Sequence, residues 1–117
     1  MYKLAISTSG EYVSAAIFEE KLLASFVSKT NKGSTGILLN QINELFDKTK
    51  ASRNDLNALY LDVGPGYYTG LRIGLSVSQG LGAVLGIPII PVNGLDALAF
   101  AAHTSHRKIC SLIDIKR

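Results

Sequence analysis

The sequence predicts an α/β protein built on one mixed β-sheet with flanking helices. Three observations lead there. The first 28 residues read as a meander of short β-prone runs, and the remainder alternates helical with strand patterns. The length of 117 residues suits one domain with its own core and leaves no room for two. A hairpin meander followed by strand–helix–strand crossovers gives both antiparallel and parallel pairs.

Runs 2–8, 12–18 and 22–28 are separated by Ser9-Gly10-Glu11 and Glu19-Glu20-Lys21, so the chain turns sharply between three strands. After a polar stretch, Ser34 or Thr35 offers an N-cap oxygen for the free N–H groups of a first helical turn. Ile37, Leu38, Gln41, Ile42, Leu45 and Phe46 then recur at the helical period, with Asn40, Asn43, Glu44 and Asp47 opposite. This is an amphipathic helix ending near Thr49, its apolar stripe facing the sheet. A turn at 52–55 leads into a buried strand over 57–63, carried by Ala58, Leu59, Tyr60, Leu61 and Val63 and stopped by Gly64-Pro65-Gly66. Thr69 or Tyr68 opens a second helix that runs to about Leu85, closed by Gly86 and Pro88. A strand over 88–92, a third helix over 94–102 capped by Asn93, and a last strand over 109–114 complete the order. That order resembles the ribonuclease-H-like half of the actin-like ATPase (ASKHA) fold, in which two such halves enclose a nucleotide. Residues 1–117 have length for one half, so they are expected to form a single domain without its second half, either a fragment or a naturally shortened member.

Hydrophobic residues at 47% and charged residues at 18% exclude intrinsic disorder. The net charge of +3 arises entirely beyond residue 106, from Arg107, Lys108, Lys116 and Arg117 offset by Asp114, so no basic stripe runs through the fold to mark a nucleic-acid face. Lys29, Lys32, Lys48, Lys50 and Arg53 flank the first helix, but Glu44 and Asp47 interleave with them in a mixed solvated face. The single cysteine, Cys110, excludes an internal disulfide and suggests a reducing, cytoplasmic compartment. Within an apolar strand it is expected to be a small buried hydrophobe. No signal pattern follows Met1, so the chain is expected to start there. Gln79, Pro88, Pro91, Asn93 and Asp96 interrupt the most apolar stretch, which excludes a membrane span. His103 and His106 lack a third ligand, so no metal is expected, and Ser105 beside His106 defines no triad.

Two features of the second helix bear on function. Its entry, Gly64-Pro65-Gly66-Tyr67-Tyr68-Thr69-Gly70-Leu71-Arg72-Ile73-Gly74, joins a strand to a helix through glycines. Backbone N–H groups of Gly64, Gly66, Thr69 and Gly70, with Arg72, are candidates to cradle a phosphate or other anion. The same glycines also suit a plain turn that aims the helix back across the sheet. The segment has neither the P-loop Lys nor the dinucleotide glycine spacing. Along the helix, Gly70, Gly74, Ser78, Gly82 and Gly86 fall at every fourth position and form a bare face that another backbone can approach. With Leu71, Leu75, Leu81 and Leu85 this face is a candidate partner or dimer interface; packing on the protein's own sheet satisfies the spacing equally.

The entry segment closely resembles the motif GPGSFTGLRIG of the bacterial tRNA threonylcarbamoyladenosine biosynthesis family TsaB, also called YeaZ. Leu4-Ala5-Ile6-Ser7-Thr8-Ser9 is similar to the family's LAIDTS, Pro91-Val92-Asn93-Gly94-Leu95-Asp96-Ala97-Leu98-Ala99 to its PVVGVSSLDALA, and Leu112-Ile113-Asp114-Ile115-Lys116 to its LIDAR. The resemblance spans essentially the whole chain, as the N-terminal half of a longer protein. It implies a non-catalytic scaffold or activator that docks the paralogous transferase TsaD, which moves a threonylcarbamoyl group to N6 of adenosine 37 in tRNA. It also implies a TsaE-type ATPase in the same pathway, a homodimer when the chain is alone, tRNA reached only through the complex, and no cofactor on this chain, with ATP or ADP entering only in the complex. The first two helices would form the interface. Ser7 stands where the family has Asp, and Ser34 where many relatives have His. Both departures count against a metal-dependent ATPase. The alternatives are an ATPase or kinase-like half binding phosphate at 64–72, and a self-associating remnant.

Overall fold

The computed structural model describes residues 1–30, 34–102 and 108–115, without the side chains of 34 and 35. The His103 and His106 reading, the Ser105 pairing, Lys32 and the helix-capping role of Ser34 or Thr35 lie outside the described residues. The elements follow the predicted order: β1 (Tyr2–Ser7), β2 (Tyr12–Phe18), β3 (Leu22–Lys29), α1 (Ser34–Thr49), a 3-10 turn (Arg53–Asp55), β4 (Leu56–Asp62), α2 (Tyr68–Leu85), β5 (Ile89–Val92) and α3 (Gly94–Ala101). They build one five-stranded sheet in the order β3-β2-β1-β4-β5. The first three strands pair antiparallel, Ala5 opposite Ala16 and Ala16 opposite Ser25, while β1, β4 and β5 run parallel.

The two-residue alternation of the strands divides the sheet into a covered and a partly open face. Leu4, Ile6, Val13, Ala15, Ile17, Leu59 and Leu61 point to one side, where Leu38, Ile42, Leu45 and Phe46 of α1 and Val77 of α2 complete the core. Burying each of the larger side chains contributes about 1.5–3 kcal/mol, which makes this stripe the main anchor of α1. Ile37, predicted on the same stripe, is exposed at its flank. α2 ends as expected, with Gly86 in the left-handed region at φ 64° and its N–H donating to the Gly82 carbonyl. Asn93 caps α3, its Oδ1 accepting from Leu95 N at 2.9 Å and Asp96 N at 3.3 Å.

Two strand readings are corrected. Val63 lies beyond β4 and is exposed. Residues 109–114 form no strand: the segment runs beside α3, with the Ser111 hydroxyl donating to the Leu95 carbonyl at 2.9 Å. Apolar content alone cannot make a strand without a ladder partner, and β5 remains the edge of the sheet. Cys110, on this segment, is therefore exposed rather than buried.

Candidate functional site

The parallel strands β1, β4 and β5 end together at Ser7, Asp62 and Val92, and three loops leave from that point. Asp62 ties them to one another. Its Oδ2 accepts from the Ser7 hydroxyl at 2.8 Å and the Ser9 hydroxyl at 2.6 Å, and its Oδ1 accepts from Gly64 N at 2.9 Å. Gly94 N donates to the Gly64 carbonyl at 2.9 Å, Tyr67 N to the Ser9 carbonyl at 2.7 Å, and Val63 N to the Val92 carbonyl at 3.0 Å. Glycine at position 94 leaves the carboxylate its place, because a Cβ there would sit 2.8 Å from Asp62 Oδ1 and push it aside. Beside this network, on the sheet face opposite the core, lies a cavity of about 560 Å³ bounded by Ser7, Ser9, Asp62, Tyr60 and small apolar residues of the sheet and α3.

The predicted anion loop is not assembled as one cradle. Gly64 spends its N–H on Asp62, and Gly66 packs its backbone against Ser9. Arg72 lies elsewhere: its guanidinium stacks 5.3 Å from the Tyr68 ring centre, and it shares a separate surface hollow with Thr69, Ile73 and Ser76. The Asp62 carboxylate occupies the Gly64 amide, and the close approaches at Gly66 and Gly70 show these glycines serving the turn and the packing of α2.

The small-residue face of α2 is likewise corrected as an interface. A Cβ on Gly70 would overlap the Thr8 carbonyl, one on Gly74 would overlap the Thr8 hydroxyl, and one on Gly82 would meet Ile89 at 3.2 Å. Ser78 is fully buried among them. The Thr8 hydroxyl donates to the Gly70 carbonyl at 2.6 Å. At Gly70, Gly74, Ser78 and Gly82 the stripe lets α2 approach the sheet, while Gly86, beyond the helix end, has nothing within 4 Å. Of the leucines predicted alongside, Leu71 reaches Gly64, Leu81 and Leu85 pack on the core, and Leu75 is exposed.

Sequence reasoning missed Asp62 and Ser9 as partners. The available signal was an acidic residue ending an otherwise apolar strand immediately before the glycine turn. Among the described residues no group of three or more His, Cys, Asp and Glu is placed to hold a metal, and no helix is long and apolar enough to cross a membrane. Arg53, one of the cations flanking α1, stacks 5.0 Å from the Phe46 ring centre and donates to Asn43 Oδ1 at 2.7 Å.

The sheet order and helix placement define a ribonuclease-H-like half of the actin-like ATPase class, and the hexokinase of the ROK type from Thermus thermophilus shares that fold at a TM-score of 0.57 and 20% identity over 88% of this chain and 37% of that one. The sequence model described as TsaD, tRNA N6-adenosine threonylcarbamoyltransferase, matches residues 22–117. The chain is 33% identical over 105 residues to the tRNA threonylcarbamoyladenosine biosynthesis protein TsaB of Buchnera aphidicola subsp. Schizaphis graminum, covering 90% of this chain and 50% of the relative. YeaZ from Pseudomonas aeruginosa superposes with a TM-score of 0.80 at 31% identity, covering 86% of this chain and 47% of that structure. The chain belongs to the family that the TsaD model describes, and it is similar to the N-terminal half of proteins named TsaB (YeaZ). It spans about half the length of the curated relatives it matches.

Proposed function

We propose that this chain serves the formation of N6-threonylcarbamoyladenosine in tRNA as a non-catalytic subunit, docking a TsaD-type transferase through the outward side of α1 and α2. The observation that carries this reading is the character of that side. From Tyr68 to Leu85 the only charged residue is Arg72, although half of the helix faces water. Leu75 is 45% exposed and Val84 is 84% exposed, with Ser76, Gln79, Gly80 and Ala83 exposed between them. α1, packed beside α2, adds exposed Ile37 and Leu39. A helical surface with Arg72 as the single charge of α2, and partly apolar, is depleted in the groups that normally keep a surface solvated, and it resembles the core of a protein interface.

The non-catalytic part of the reading is supported by the internal use of the Gly64 and Tyr67 amides, which withdraws two of the loop's donors from a phosphate. The names of the relatives supply the pathway, and the TsaD description supplies the chemistry of the partner. A TsaE-type ATPase belongs to the same pathway, tRNA is reached through the assembled complex in the cytoplasm, and the isolated chain pairs with itself through the same helical side.

Size-exclusion chromatography with light scattering, on this chain mixed with a TsaD-type transferase, tests the proposal. A stoichiometric complex is expected, lost in Leu75→Glu and Val84→Glu while both variants keep the thermal stability of the parent. A complex indifferent to both substitutions would overturn the assignment of this side. Nucleotide affinity of the isolated chain, removed by Arg72→Ala, would support the kinase-like reading instead.

A further inference from the structure

The cavity opposite the core has a definite hydrogen-bonding sense, and it differs from that of a phosphate site. An ionised carboxylate only accepts, so the Ser7 and Ser9 hydroxyls must both donate their single proton to Asp62 Oδ2. The nearby backbone donors are committed as well: Gly64 N to Asp62, Gly94 N to Gly64, Tyr67 N to Ser9, and Leu95 N and Asp96 N to the Asn93 side chain. What Ser7, Ser9 and Asp62 can offer a ligand at their end of the cavity is therefore oxygen lone pairs and one negative charge. The rest of the wall is mostly apolar, with alanines of the sheet and α3 and the rings of Phe26 and Tyr60, and the Ser14 and Ser25 hydroxyls lie along the sheet. A volume of about 560 Å³ at the carboxyl ends of parallel strands is ordinary for a small-molecule site.

We infer that this cavity binds a small molecule with an N–H-rich cationic head, an amine or amidine, on an apolar or planar body. The head donates to Ser7 and Ser9 and is balanced by Asp62, while the body lies against the alanines of the sheet and α3. Beside Asp62 an anion is disfavoured, because it would meet a negative charge and the lone pairs of Ser7 and Ser9 in place of donors. The inference is independent of docking by α1 and α2, which cover the other face of the sheet.

Benzamidine and benzoate share a ring and present opposite hydrogen-bonding sense, so they probe the site directly. In titrations of the isotope-labelled chain followed by amide NMR, millimolar benzamidine should give saturable shifts at Ser7, Ser9, Gly64 and Gly94. Benzoate and inorganic phosphate should leave those amides unmoved. Asp62→Asn, which keeps one acceptor and removes the charge, should weaken benzamidine by about tenfold. Ala97→Phe, at an exposed position of α3, should fill the cavity and abolish binding without touching the core, which keeps the test decisive if the Asp62 variant folds poorly. The inference is overturned if benzoate or phosphate shifts the same amides as strongly, if benzamidine produces no saturable shift, or if its binding survives Ala97→Phe.

Discussion

Replacing Gly74 by alanine should destabilise the fold, whereas the same replacement at Gly80 of the same helix should stabilise it. Alanine favours a helix interior over glycine by about 1 kcal/mol at either position. At Gly80 nothing lies within 4 Å of the added Cβ, so that gain stands undiminished. At Gly74 the Cβ overlaps the hydroxyl of Thr8, a residue only 2% exposed, and meets Leu61 Cδ1 at 3.3 Å. Overpacking of this kind costs about 1–3 kcal/mol. Displacing the Thr8 side chain also gives up its hydrogen bond to the Gly70 carbonyl, about 1 kcal/mol more. The net loss at Gly74 is roughly 1–3 kcal/mol against a gain of about 1 kcal/mol at Gly80. For a domain of this size that corresponds to a Tm lower by about 4–12 °C in one variant and higher by about 4 °C in the other. Thermal and urea melts of the two variants followed by far-ultraviolet circular dichroism measure both. A Gly74→Ala protein as stable as the parent would refute the packing of the bare face on β1 and return that face to the list of partner surfaces.

Two further expectations follow from local geometry. Asn93→Ala should cost about 1 kcal/mol in a urea melt, because α3 loses the side-chain acceptor of two first-turn amides, while Asn93→Asp should retain most of the stability. Cys110 is exposed on a segment without ladder pairing, so a thiol reagent should label the native protein at nearly the rate seen in denaturant; a strongly protected thiol would show that the 109–114 segment is buried after all.

The parts of the fold that could be read in the sequence are those written in local periodicity. Leu38, Ile42, Leu45 and Phe46 repeat at the helical period and all four are buried, and the strand–glycine–helix junction at 62–70 lies where its residues place it. The failures have a common cause, which is that the deciding contact is distant in sequence. Ile109, Leu112 and Ile113 have strand-like composition, but whether they pair depends on an edge whose geometry the segment itself does not encode. Spacing of four identifies a bare face on α2 and is silent about what approaches it; Thr8, just past β1, and Ile89 of β5 supply the answer. The Asp62 network joins residues 53 and 55 positions apart, beyond the reach of any window of periodicity.

Ser7 acquires a different meaning once Asp62 is placed beside it. Read from the family pattern, it is a lost carboxylate. In the fold its hydroxyl donates at 2.8 Å to a carboxylate on the neighbouring strand, so the negative charge at the carboxyl end of the sheet is retained and only its strand has changed. An aspartate at position 7 would stand within hydrogen-bonding distance of Asp62, and two such carboxylates repel unless a proton or a cation is shared between them. With serine at 7 and at 9, the single carboxylate receives two hydroxyls and one backbone amide and is satisfied by the chain itself. Those three neutral donors hold the carboxylate in place without cancelling its charge, so a cation is still attracted to this point while no second carboxylate is present to chelate it. The arrangement leaves a negative, acceptor-lined corner in a largely apolar cavity, while the exposed side of α2, with Arg72 as its single charge, lies on the opposite layer. The two surfaces are separated by the sheet, so recognition at one can be altered by mutation without disturbing the other.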